Sequence, residues 1–89
     1  MDDLPSDVHA VLGQLLAEAQ VAIGERDHEA ARTAVDSVDE VASNKLPESE
    51  QRRRLQHGCE RVRALLEDGD NDDYAAAAAY LSSMQRRVE

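Results

Sequence analysis

The sequence predicts an all-α fold, a compact antiparallel four-helix bundle built from two helical hairpins. Three observations predict it. Apolar residues return at spacings of three and four through four successive segments, the period of an amphipathic helix. Each segment is opened by a capping residue or a proline, and the first three are closed by Gly or by Asn and Pro. The connections left between segments are short, so successive helices must lie side by side and run in opposite directions. No stretch alternates apolar and polar residues with period two, so no strand is expected.

The first helix, about residues 6–24, follows the stretch LPSD, where Pro5 or Ser6 can begin a helix. Val8, Val11, Leu12, Leu15, Leu16, Ala19, Ala22 and Ile23 form its apolar stripe, and Gly24 is a natural stop. The second, about 27–44, opens on Asp27 as N-cap, with Glu29 in the positive first turn. Ala31, Ala34, Val35, Val38, Val41 and Ala42 make its stripe, and Asn44 and Pro47 end it. The third, about 47–68, places Pro47 at the first helical position and Glu48 and Glu50 in the first turn. Leu55, Cys59, Val62, Leu65 and Leu66 are its stripe, and Gly69 stops it. The fourth, about 71–88, opens within DNDD and runs through YAAAAAYLSSM to Arg86 and Arg87. Their charge complements the negative end of the helix dipole. The alanines Ala75–Ala79 cover every side of a helix, and Gly58 is expected to meet this run at a close helix crossing.

The two hairpins echo each other. Leu12, Leu16, Ala19, Ala22 and Ile23 match Leu55, Cys59, Val62, Leu65 and Leu66 at an offset of 43 residues. After the turn, Ala31, Val35 and Val38 match Ala77, Leu81 and Met84 at an offset of 46. Hairpins of this length resemble the tetratricopeptide type, but the bulky signature residues of that repeat are missing.

Residues 1–89 read as a single helical domain with a thin core. There is no Trp or Phe, Tyr74 and Tyr80 are the only aromatics, and many apolar residues are alanines that bury little area. Self-association into a homodimer is one remedy for so small a core.

Charge is unevenly placed. The formal net charge is −9. Residues 1–44 hold ten acids against Arg26 and Arg32, a balance of −8; residues 45–89 hold nine acids against eight bases, a balance of −1. Lys45 is the only lysine against nine arginines. An acid-dense, lysine-poor surface suits a cytoplasm of very high salt, where carboxylates hold water and their repulsion is screened. A free nucleic-acid backbone would be repelled by the first half, so nucleic acid is disfavoured as a partner. No apolar run is long enough to span a membrane, and the acidic start lacks the pattern of a signal peptide. A soluble, cytoplasmic protein is expected.

The residues with chemical potential cluster in QRRRLQHGCE, Gln51–Glu60. His57 and Cys59 point about 200° apart on a helix and cannot close on one ion, so Cys59 reads as a core thiol. Helical geometry places Arg54, His57 and Arg61 on one flank of the third helix, Arg53 near the solvent face, and Arg52 and Arg63 on the other flank. Two readings stand side by side. One is a solvated face laced with local ion pairs: Glu50 with Arg54, Glu60 with Arg63, and Arg63 with Glu67. The other is an anion-recognising strip of Arg54, His57 and Arg61, with Arg53 beside it, that meets an acidic protein, RNA or the acidic first half of the chain. In DGDNDD, Asp68, Asp70 and Asp72 match the opening of a calcium-binding loop. The pattern then breaks at Asp73, where Gly is needed, and at Ala79, where Glu is needed. Helix capping explains these acids more simply. No P-loop, dinucleotide fingerprint or nucleophile constellation is present, and no metal or cofactor is expected.

The block VASNKLPESEQRRRLQHGC, Val41–Cys59, resembles a segment of short, acidic, uncharacterised proteins of halophilic archaea, and the whole chain is similar to them in length and character. The resemblance implies a high-salt cytoplasm and carries over no functional residue. The expectation is a small non-enzymatic module for protein interaction or regulation, with an unidentified protein partner or a second copy. The alternative is a nucleic-acid-associated protein using Arg52, Arg53, Arg54, Arg61 and Arg63.

Overall fold

The computed structural model describes residues 6–88. It contains α1 (Ser6–Gly24), α2 (His28–Lys45), α3 (Glu50–Asp68) and α4 (Asn71–Val88), and no strand occurs among the described residues. Pro5, read above as a helix start, and Asp2, Asp3 and Glu89 lie outside the described residues.

The helices form a closed ring. α1 packs on α2, α2 on α3, α3 on α4, and α4 returns to α1, with no backbone approach across either diagonal among the described residues. Side-chain contacts fix the antiparallel sense of each pair that they span. Arg26, just past the end of α1, reaches Tyr74 in the first turn of α4. Gln56 near the start of α3 donates to Ser43 near the end of α2 at 2.8 Å. The cross-section of 19 × 18 Å is that of two helices by two.

The core is aliphatic. Leu12, Leu16, Ala19, Leu66, Val35, Val38, Val62, Leu81 and Val88 are buried, with Cys59 among them and Tyr74 as the one buried aromatic. The predicted stripes are slightly too wide. Val8, Leu15, Val41 and Leu65 are only half-buried, and Val11 is 46% exposed, because a ring of four narrow helices covers the centre of each stripe and leaves its edges to solvent. The internal echo survives in burial: apart from Leu65, every matched position of the two hairpins lies in the core.

Helix ends follow local chemistry. After α1, Arg26 N–H bonds Ile23 O and Asp27 N–H bonds Ala22 O, the paired bonds of a Schellman motif. The left-handed residue in that motif is Arg26, with φ 59, and not Gly24. Asp27 then caps α2, its carboxylate accepting from Ala30 N–H at 3.1 Å. Lys45 ends α2, and Leu46 turns inward to 4% exposure. α3 starts three residues later than Pro47 suggests. Ser49 is in extended backbone and its hydroxyl accepts from Arg52 N–H at 3.2 Å, so the serine cap prevails over the proline. Gly69 closes α3 in the left-handed conformation, φ 75, with its N–H on Leu65 O.

Candidate functional site

Side chains on α3 separate by face. Leu55, Gly58, Cys59, Val62 and Leu66 are buried, Arg53, Arg54, His57 and Arg61 are exposed, and Arg52 and Arg63 are half-buried. What the sequence alone does not give is the neighbour on each side.

On one side lies α2. Arg63 does not pair along its own helix with Glu60 or Glu67. It reaches across to Asp36 and Asp39 of α2, at 3.1 Å to each, with its side chain 26% exposed. Partial burial works against the guanidinium charge, but the hydrogen bond and field of Asp39, helped by Asp36, outweigh it and raise its pKa above the usual arginine value. The contact with the acidic first half is thus made by Arg63, on the opposite flank from the Arg54, His57 and Arg61 strip expected to face it. The same carboxylates bear on Cys59 below. Burial first, then the Asp39 charge, push its thiol up to about 12, so it is an inert core group at neutral pH.

On the other side lies α4, and here a groove opens. Arg53, Arg54 and His57 line one wall; Tyr80, Ser83 and Arg87 line the other. Buried Met84 and Gly58 form the floor, and Leu55 and Gln51 extend it toward the start of α3. Its volume is about 530 Å³. Arg54 is held by Glu50 at 2.7 Å, the i,i+4 pair anticipated from the sequence. No such pair engages Arg53 or His57 among the described residues. The groove thus brings together three of the four residues singled out above. Arg61, one turn further along α3, is exposed and lies outside its lining.

Gly58 lets Met84 pack directly against α3. A Cβ built there would lie 2.6 Å from Met84 Sδ and 3.0 Å from Met84 Cε. Its close neighbour is therefore Met84, and not the run Ala75–Ala79 expected above. The reason is register: Gly58 lies about eleven residues before the Gly69–Asp70 connection and Met84 about fourteen after it, so an antiparallel α4 has passed its alanine run before it draws level with Gly58. The same count would have found the α4 wall. Arg87 was read from sequence as a complement to the helix dipole alone, but its turn lies beside the first turn of α3.

Elsewhere, Gln85 joins α4 to α1, accepting from Gln20 and donating to Gly13 O at 3.4 Å. The acids of 68–73 do not converge: among the described residues no three His, Cys, Asp or Glu side chains are placed to hold one metal ion. No described helix is long and apolar enough to cross a membrane.

A family model described as "Domain of unknown function (DUF8101)" matches residues 1–89. No curated protein and no solved structure matches the chain. The chain belongs to this family.

Proposed function

We propose that the chain is a small non-enzymatic protein-interaction module of a high-salt cytoplasm, docking its partner in the α3–α4 groove. One observation carries the reading. A chain of net charge −9 gathers Arg53, Arg54, His57 and Arg87 around a concave, partly apolar floor. Partner-binding surfaces combine such features: an apolar centre, an arginine rim and an exposed aromatic, here Tyr80. The high-salt setting rests on the excess of acids and the single lysine. The nucleic-acid alternative has less support. Two of its arginines, Arg54 and Arg63, are already engaged by carboxylates, and molar salt strips phosphate contacts.

A photo-crosslinking residue at Ser83, inside the groove, tests this in native cytosol at native salt, with one at exposed Ala10 on α1 as reference. The expected result is a protein captured from position 83 only and lost on Arg53→Glu. The purified partner should then bind the wild-type chain at least tenfold more tightly than Arg53→Glu. Equal capture from both positions, or capture of RNA alone, rejects the proposal.

A further inference from the structure

Resting on the reading of the α3–α4 groove as a docking site, we infer that its occupant is a short acidic segment of a partner protein, carrying one apolar anchor residue flanked by carboxylates. Three features of the groove point there. The first is charge: Arg53 and Arg87 stand on opposite walls, and Glu50, its one carboxylate, is taken by Arg54. A basic segment would meet like charge on both walls.

The second is the floor. Met84 is buried beneath the opening, and its thioether packs against Gly58 where a larger residue's side chain would begin. A thioether is soft and adapts to the shape pressed on it, so this floor takes an apolar side chain without demanding one outline. Phosphate alone would leave it empty. The floor also decides between anion sources. At molar salt the Debye length is about 3 Å, so charge acts only in direct contact: a guanidinium–carboxylate pair orients the segment and a reversed charge repels it, but such pairs alone do not hold an occupant. Burial of an apolar side chain is not lost in that way, and salts excluded from protein surfaces strengthen it. An occupant without an anchor would not hold.

The third is length. The α3 wall runs from Gln51 to Gly58 and the α4 wall from Tyr80 to Arg87. Each is about 10 Å, which is two turns of helix or three residues of extended chain. The groove accommodates a linear motif, not a domain face.

Random ten-residue peptides displayed on phage and panned against the full chain at 0.5 M and 2 M KCl test the inference. Enriched peptides should carry at least two Asp or Glu within four positions of a Leu, Ile, Met or Phe. A synthetic peptide of the enriched sequence should lose at least tenfold in affinity when that apolar residue becomes Ala. It should lose a similar factor against Arg53→Glu and against Arg87→Glu, with helical circular dichroism confirming that both variants are folded. Enrichment of basic or neutral peptides, no enrichment, or winners indifferent to both reversals overturns it. So does an oligouridylate that displaces the winning peptide at 2 M KCl, or self-association that Arg53→Glu abolishes, which would make the occupant a second copy. If crosslinking from Ser83 captures a partner whose contact segment is not acidic, the docking function stands and this inference falls. If it captures nothing, both fall.

Discussion

Arg26 occupies the left-handed position that ends α1, where glycine is the easy residue. The strain, about 1 kcal/mol, is offset by its side chain. The guanidinium donates to Ile23 O at 2.9 Å and lies 4.8 Å from the Tyr74 ring centroid, tying the α1–α2 turn to α4. Arg26→Gly should therefore be near neutral, since relief of strain balances the lost contacts, while Arg26→Ala keeps the strain and loses them. Chemical denaturation should find the glycine variant more stable than the alanine variant by about 1 kcal/mol; the reverse order contradicts this account. Cys59 gives a pH prediction. Its thiol titrates near 9.0 when exposed and near 12 in the fold, so the native state keeps a proton that the unfolded chain releases. That contribution is complete below pH 9 and is lost as pH rises toward 12, with a slope of up to about 1.4 kcal/mol per pH unit. Cys59→Ala should show a shallower alkaline decline than wild type in urea melts between pH 8.5 and 11. Parallel curves would remove the thiol as a cause.

At the scale of helices, two contacts between neighbours carry predictions. Arg63 links α3 to Asp36 and Asp39, and these partly exposed pairs are worth about 1 kcal/mol together. Arg63→Met should cost about that much at 0.1 M KCl and visibly less at 2 M, since salt screens the pairs; a loss independent of salt would mean that packing of the aliphatic stem dominates. At the α3–α4 contact, Gly58→Ala gains helix propensity of about 0.5–1 kcal/mol while Met84 swings aside, so thermal melting should change little. Gly58→Leu overpacks the same place by about 2 kcal/mol and should lower Tm by roughly 10 °C. Element type was legible in the sequence because the 3.6-residue period and the caps at Asp27 and Gly69 agree. The start of α3 was not, because Pro47 and Ser49 compete for the same role and only packing of Leu46 into the core places the turn between them. The Arg63 pairing was also hidden. Spacing along one helix offers Glu60 and Glu67, and the nearer acids belong to a neighbour whose register the sequence leaves open.

For the molecule as a whole, charge and topology set the behaviour. Nineteen acids against ten bases repel one another in dilute salt, so Tm should rise as KCl goes from 0.1 M to 2 M, and more steeply than for a neutral bundle of this size. A flat response in a circular-dichroism melt would separate the acid excess from salt adaptation. The candidate site was half legible at this scale. Arg54, His57 and Arg61 stood out as a flank of α3, with Arg53 near its solvent face, but a groove needs a second wall. That wall, Tyr80, Ser83 and Arg87, becomes visible only once α4 is known to fold back in register.

The ring closure has a further consequence. α4 completes the circuit against α1 in antiparallel fashion, so Ser6 and Val88 come to the same end of the bundle on adjacent helices. Chain order is then almost arbitrary: a short peptide could join the ends, and the circle could be opened elsewhere. The turn at Pro47 and Glu48 is exposed and suits the new opening. Such a circular permutant, beginning at α3 and ending with α2, should reach the same helical content and keep the groove intact. In folding terms, joining α4 to α1 is the only contact among the described residues between helices far apart in the chain, so it bears the largest loop-closure entropy. The permutant makes that contact local and shifts the cost to the α2–α3 pair. Stopped-flow refolding that slows on Leu81→Ala in the natural order, but less in the permuted one, would show that packing around Leu81 is formed in the folding transition state of the natural order alone.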